Sequence, residues 1–267
     1  MTSGVSTIPF VKASACGNDF LLIDGALAPE EIAAFTSRIC DRHNGVGADG
    51  VEWILPHLTA DVEIKLINAD GSPAEISGNG TRCVAAYVCA QLSKERISIL
   101  TGAGMKICQL TSRRDCEYEF EIEMGEAAVD NELALKIAGN REAHGIPVSI
   151  GNPHYVMFVP EFAASWQAQA AEVQRNPHFQ QGVNVELVAV DGKHDVRARF
   201  FERGVGETQS SGTGSCASAV AAMATGRVVS PVKVHAPGGA QTVRTDGNKV
   251  FLRGPARLVC RGEFFVS

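Results

Sequence analysis

The chain contains an internal repeat with a constant offset of 134 residues. Three pairs share this offset: Gly-Asn-Asp-Phe (17–20) with Gly-Asn-Pro-His (151–154), Asp-Val (61–62) with Asp-Val (195–196), and Ser-Gly-Asn-Gly (77–80) with Ser-Gly-Thr-Gly (211–214). A period this long is not a solenoid unit. We therefore expect two similar domains from a duplicated ancestor, at residues 1–117 and 118–267, with the option that the last residues return to the first domain.

The two halves also share patterns of secondary structure. Alternation of polar and apolar residues over 61–67, 195–201 and 117–124 predicts half-buried strands. Ala-rich stretches at 83–92 and 216–224 follow the two Gly-rich turns and are apolar nearly all round, which predicts helices buried inside their domains. The fold class is therefore α/β in the α+β sense, with two pseudo-symmetric domains.

Composition excludes several classes of protein. The 267 residues are 45% hydrophobic and 20% charged with a net charge of −6, which argues against disorder and against a nucleic-acid binder. No apolar run is long enough to span a membrane, and the start shows no signal peptide, so we predict a cytoplasmic protein. Eight cysteines without a Cys-x-x-Cys pattern indicate neither a disulfide framework nor a metal site.

The Gly-rich turns indicate where an anion can bind. They open the two predicted buried helices, and free N–H groups with the positive end of the helix dipole favour a negative charge there. If both helix ends hold one carboxylate, residues 77 and 211 flank its α-carbon from opposite sides, an arrangement that suits a two-base racemase. Phosphate-loop and dinucleotide-binding glycine patterns are absent.

The motifs together resemble the diaminopimelate epimerase family. They are residues 17–20, 45–50, 68–72, 78–83, 151–154, 184–185, 202–208, 212–214, 237–239 and 254–255. The resemblance implies two pseudo-symmetric domains, each a mixed β-sheet curled around a central helix, with the active site in the interdomain cleft. It implies a small-molecule substrate and cofactor-independent interconversion of LL- and meso-diaminopimelate in lysine biosynthesis, with neither pyridoxal phosphate nor a metal.

The family's two catalytic cysteines correspond to Ser77 and Ser211 in this chain. A helix N-terminus can lower a thiol pKa of about 8.5 toward the thiolate, whereas a hydroxyl is a much weaker acid. We therefore expect an epimerase scaffold that is inactive or impaired. Deliberate replacement and natural divergence both account for the serines, and the intact surrounding motifs favour replacement. Cys83 and Cys216 are expected to be core residues, and nothing places Cys16 opposite an α-carbon.

The resemblance also assigns the remaining site residues. His154 and Glu202 match positions that assist the catalytic groups in changing protonation state. Backbone N–H groups of Gly78, Asn79, Gly212 and Thr213 would hold the α-carboxylate. The remaining polar side chains would fix the rest of the substrate, with Arg203 binding its distal carboxylate; they are Asn18, Asn68, Asn152, Asn184, Glu202 and Arg203.

Three function classes remain open from the sequence. They are a diaminopimelate epimerase, a related racemase or isomerase for another amino acid, and a non-catalytic binder or regulator. Retention of Arg203 with Asn68 and Asn184 favours a dicarboxylic substrate over the second class. We expect no nucleic-acid or membrane partner; the oligomeric state is open, with a homodimer as one option.

Overall fold

A computed structural model describes residues 6–266; the amino-terminal segment used for the localisation prediction therefore lies in part outside the described residues. Its first half contains β1 (Ser6–Ala15), β2 (Asn18–Asp24), a 3-10 turn (Gly25–Leu27), α1 (Ile32–Cys40), β3 (Gly50–Leu55), β4 (Val62–Asn68), β5 (Pro73–Ala74), α2 (Gly78–Leu92), β6 (Arg96–Thr101), β7 (Gly104–Arg114) and β8 (Glu117–Glu126). Its second half contains β9 (Ala128–Val129), β10 (Leu133–Ile137), a 3-10 turn (Ala138–Asn140), β11 (Arg141–Ser149), β12 (Pro153–Phe158), α3 (Trp166–Gln174), β13 (Asn184–Val190), β14 (Asp195–Glu202), β15 (Gly206–Thr208), α4 (Gly212–Ala224), β16 (Val232–Ala236), β17 (Gly239–Asp246) and β18 (Lys249–Val266).

The chain forms two compact units. The first contains Met1–Ile122 and Gly254–Ser267, and the second contains Glu123–Arg253. The divisions fall inside β8 and inside β18, whereas the sequence analysis placed one boundary between residues 117 and 118. The polar residues 111–115 lie in the β7–β8 hairpin.

The 134-residue offset extends to the order of the elements. The first residues of α3, α4 and β13 each lie 134 positions after the first residues of α1, α2 and β3. In both units, parallel pairing joins two neighbouring strands, β2 with β3 and β12 with β13, while β3–β4 and β13–β14 are antiparallel. The mixed sheets expected from the sequence are therefore confirmed.

Each sheet surrounds one buried helix. Residues 214–222 of α4 are all buried, and the same core contains Phe200, Val234 and Leu252 from the surrounding strands. Helix α2 is buried from Asn79 to Ala86. Apolar residues on all sides of these helices explain this placement, because neither helix has a face suited to water. The predicted central helices are confirmed.

In both units a second helix lies on the opposite side of the sheet from the central helix. Strand β3 alternates accordingly: Val51 and Trp53 belong to the core formed with α1, whereas Glu52 projects to the face that α2 covers. Among the helices of residues 6–266, none is long and apolar enough to cross a membrane.

We predict that Gly145→Ala destabilises the second unit by about 1–3 kcal/mol through overpacking. A Cβ at this position would lie 2.6 Å from two ring carbons of Tyr155. That ring cannot yield easily, because it is fully buried and its hydroxyl oxygen lies 2.6 Å from Leu133 O and 2.9 Å from Ala143 O. Denaturant unfolding measures the change.

Gly192→Ala is the matched control in the same unit, since a Cβ there meets nothing within 4 Å. We expect it to change stability by less than about 0.5 kcal/mol. Equal effects of the two substitutions would contradict the packing explanation.

Candidate active site

In the first unit, Ser77 is the N-cap of α2. Its backbone is extended, and its Oγ accepts a hydrogen bond from Gly80 N at 3.1 Å. Thr81 Oγ1 in turn donates to the Ser77 carbonyl. A serine cap satisfies the third amide of the helix, and the amides of Gly78 and Asn79 lie in the first turn, where an α-helix supplies no acceptor of its own. These two N–H groups are the ones that the sequence analysis assigned to a carboxylate.

Asn18 is fixed beside this helix end by two side chains. Its Oδ1 accepts from Asn79 Nδ2 at 2.7 Å, and its Nδ2 donates to Asp49 Oδ2 at 3.0 Å. Arg42 bridges Asp49 and Asp19 on the other side, with 2.7 Å contacts to both. The structure therefore brings the predicted residues Asn18 and Asn79 into contact, and Asp49 orients the Asn18 amide.

Asn68 lies at the end of β4 in a tight turn. Its Nδ2 donates to Ser72 Oγ at 3.0 Å, and its backbone N–H donates to the Ser72 carbonyl. Its side-chain bond is thus to its own turn, and it makes no hydrogen bond to Ser77, Asn18 or Asn79.

Glu52 is a buried carboxyl on the α2 face of β3. The residue is 0% exposed, and among the described residues neither carboxyl oxygen has a hydrogen-bond partner. Burial in apolar surroundings raises the pKa of Glu52 to about 8, because the charged form loses its hydration. The carboxyl is therefore mostly protonated at neutral pH.

In the second unit, Ser211 caps α4 in the same way. Its Oγ accepts from Gly214 N at 3.1 Å, and its side chain lies near enough to Glu202 to favour the charged form of that carboxyl. Burial raises the pKa of Glu202, and the nearby Glu186 adds to this, while Ser211 and His154 oppose it. Ser211 and Glu202, both predicted as catalytic, are thus adjacent.

His154 is part of a buried polar chain. Its Nδ1 lies 2.7 Å from Glu186 Oε1, and its Nε2 lies 2.9 Å from Asn152 Oδ1. Asn152 Nδ2 donates onward to Thr213 Oγ1 at 3.4 Å. Because Asn152 Oδ1 can only accept, His154 Nε2 donates its proton to it. The short contact on the other side of the ring then shares a single proton between His154 Nδ1 and Glu186 Oε1. The chain therefore connects a buried proton to the N-terminus of α4.

Asn184 and Arg203 are joined through the backbone. Asn184 Oδ1 accepts from Arg203 N at 2.9 Å, and its Nδ2 donates to the Pro153 carbonyl at 3.1 Å. The guanidinium of Arg203 is exposed and donates to Gln181 O at 2.8 Å, and no acid among residues 6–266 pairs with it. Asn184 therefore positions the loop that presents Arg203.

The sequence analysis missed three residues of these sites, namely Glu52, Asp49 and Glu186. The repeat offset could have found two of them, because it relates Glu52 to Glu186. Cys83 and Cys216 are fully buried, as core residues are. Burial raises the pKa of Cys83, which keeps its thiol protonated. Cys16 is also buried, with its Sγ 3.8 Å from Arg82 Nη2.

The fold is shared with solved structures of low sequence identity. A phenazine biosynthesis protein of the PhzF family from Bacillus anthracis matches with a TM-score of 0.73 and 16% identity, covering 98% of this chain and 100% of that one. A hydroxyproline epimerase from Agrobacterium vitis matches with a TM-score of 0.70 and 16% identity, covering 97% and 93%. The chain thus has the architecture found in this class of two-unit proteins.

Sequence relatives define the family within this class. The family model for diaminopimelate epimerase matches residues 10–129 and 146–259. Diaminopimelate epimerases from Pelotomaculum thermopropionicum and Sphingopyxis alaskensis are 35% and 37% identical, covering 96% and 95% of this chain and 98% and 96% of the relatives. The chain belongs to the diaminopimelate epimerase family.

We predict that Asn184→Ala lowers the free energy of unfolding of the second unit by about 1–3 kcal/mol, because two partly buried hydrogen bonds to the backbone are lost. Arg203→Lys is the control, since the guanidinium is exposed and makes a single bond to Gln181. We expect its melting temperature to stay within a degree or two of the parent, as for surface changes. If Arg203→Lys destabilised the protein as much as Asn184→Ala, the Arg203 side chain would have a structural role.

Proposed function

We propose that this protein interconverts LL- and meso-diaminopimelate by moving the α-proton between two acid–base groups, one in each unit, without a cofactor. The observation that carries the proposal is the pair of serine-capped helix N-termini, each with a family motif around it. Membership of the family supports diaminopimelate as the substrate. The reaction is an isomerisation that belongs to lysine biosynthesis.

The α-carboxylate binds to the first amides of the two central helices. These are the N–H groups of Gly78, Asn79, Gly212 and Thr213, which lie in the first turns of the helices, next to the serine caps. Hydrogen bonds to the carboxylate withdraw charge and make the α-proton easier to remove. The helix dipoles act in the same direction.

The far end of the substrate is held by polar side chains around Arg203. Its exposed guanidinium keeps donors available beyond the bond to Gln181, and a planar fork suits a carboxylate. Asn184 holds the Arg203 backbone, so we assign it a positioning role in addition to the predicted contact. Asn18, Asn68 and Asn152 remain proposed ligands, and the first and last are oriented by Asn79 and His154 respectively.

The two serines impair the chemistry. An epimerase of this family uses thiols at these positions, and a hydroxyl is a far weaker acid than a thiol. Each Oγ also accepts a hydrogen bond from a helix amide, which occupies one of its lone pairs. His154 and Glu202 assist the proton transfers, with Glu202 acting directly on Ser211.

Two other functions stay as alternatives. A racemase for another amino acid would lack a use for Arg203, and a non-catalytic binder would keep ligand affinity without proton exchange. Separate measurements of binding and exchange distinguish them.

We predict that the protein binds meso- or LL-diaminopimelate but exchanges its α-proton slowly. Calorimetry measures the binding, and deuterium incorporation at the α-carbon in heavy water measures the exchange. Exchange at about 1–1000 per second, the range typical of enzymes, would show that the serines do not disable the site. Absence of binding would contradict the proposed substrate.

We predict that Ser77→Cys together with Ser211→Cys restores epimerase activity. Either single change should give much less inversion, because inversion needs a donor and an acceptor on opposite faces of the carbon. Inversion is followed by polarimetry or chiral chromatography. A folded double variant that binds diaminopimelate and stays inert would show that these positions are assigned wrongly.

A further inference from the structure

Glu52 is a buried acid at the position in the first unit that corresponds to Glu186 in the second. Glu186 has a histidine partner, and Glu52 has none among the described residues. In the parallel pairs, Glu186 is opposite Val156 and Glu52 is opposite Leu22, at the same register. Glu186 meets His154 at 2.7 Å, whereas the residue corresponding to His154 in the first unit is Phe20. A fully buried carboxyl with no hydrogen bond is costly, so its presence requires an explanation.

The carboxyl of Glu52 and the side chain of Ser77 border the same small space at the N-terminus of α2. A Cβ added to Gly80 would collide with Glu52 Oε1 and lie 3.3 Å from Ser77 Cβ. Glycine at position 80 is therefore what keeps the space between the two side chains open. The corresponding Gly214 is bordered in the same way by Glu186 Oε1 and Ser211 Cβ, both at 3.0 Å.

Few other groups can titrate next to this carboxyl. On the two strands paired with β3, its register partners are the apolar residues Leu22 and Leu66. From α2 the titratable neighbour is Cys83, whose pKa burial raises, with Glu52 adding to the effect. At this end of α2, Ser77 is the residue whose side chain borders the same space as the Glu52 carboxyl.

We propose that Glu52 is the proton-exchanging partner of Ser77, supplying to the first unit what Glu202 supplies to Ser211. The inference rests on the proposed function. When the substrate loses its α-proton to Ser77 Oγ, the serine hydroxyl proton passes to the Glu52 carboxylate, and a substrate carbanion and a neutral Glu52 result. In the reverse direction, Ser77 protonates the carbanion and Glu52 returns a proton to Oγ. Glu52 acts through Ser77 and is therefore a positioning residue.

Burial raises the pKa of Glu52 to about 8, so this carboxyl is mostly protonated at neutral pH and the first unit begins as the proton donor. Burial also raises the pKa of Glu202, while the neighbouring Ser211 and His154 oppose that rise. A two-base inversion requires a proton donor on one face of the carbon and an acceptor on the other.

The first test needs no substrate. In a Ser77→Cys variant, iodoacetamide alkylation of residue 77 as a function of pH, read by peptide mass spectrometry, reports the thiol pKa. Adding Glu52→Gln should lower that pKa by about one unit, because a coupled carboxylate no longer opposes thiolate formation. Glu52→Met serves as a second, apolar replacement, and Glu63→Gln on β4 is the matched control, expected to change nothing. An unchanged thiol pKa in both Glu52 variants overturns the proposal.

The second test uses diaminopimelate and the parent serines. We expect Glu52→Gln to reduce α-proton exchange at least about tenfold and to remove its pH dependence near pH 8, while calorimetric affinity stays the same. A structural role alone would leave the exchange unchanged, since glutamine is a neutral replacement for protonated Glu52.

The outcomes separate the two proposals. Thiol coupling without binding of diaminopimelate contradicts the proposed function and supports the pairing of Glu52 with residue 77. Binding with exchange that is absent, or that Glu52→Gln leaves unchanged, overturns the relay and leaves the substrate assignment intact.

Discussion

Enclosure of a helix by a sheet on all sides is the constraint from which the candidate sites follow. The first amides of a helix have no acceptor within the helix, so side chains, water or a ligand must satisfy them. Ser77 and Ser211 each satisfy the third amide, and glycines beside them keep the helix ends open. The first amides of each helix lie beside these caps, and the proposed function assigns them to the substrate carboxylate.

The two units keep this construction and differ in the polar groups attached to it. Asn18 donates to Asp49, an acceptor, whereas Asn152 accepts from His154, a donor. Duplication therefore preserved the asparagine beside each helix end and changed its orienting partner. A symmetric pair of sites would present the same protonation state twice, and inversion of a carbon requires opposite states. The proposed two-base reaction is compatible with such a difference between the buried partners of the two units.

The sequence predicts the fold well because its signals are local and repeated. Alternation over 195–201 and the apolar stretch at 216–224 each specify one element, and the offset of 134 residues specifies that the elements recur. Prediction of the sites from single motifs is weaker. The motif around Asn184 predicts a ligand-binding residue. In the structure, its side-chain amide hydrogen-bonds the Pro153 carbonyl and the Arg203 N–H. Glu52 carries no motif of its own, because only the packing of β3 against α2 shows that it is unpaired.

Serine at the two helix ends caps each helix through its Oγ and is a much weaker acid than a thiol would be there. Capping by Ser stabilises a helix by about 0.5–2 kcal/mol relative to Ala, through the bond from the third amide to Oγ. The same hydrogen bond holds Oγ toward the helix, which directs it away from a substrate. The chemistry must then come from groups that act on the hydroxyl, and each serine has a carboxyl near it: Glu202 beside Ser211 and Glu52 across the open space at Gly80. In the proposed mechanism, proton transfer depends on each serine together with its neighbouring acid, which is why the buried carboxyl of Glu52 is the residue to test first.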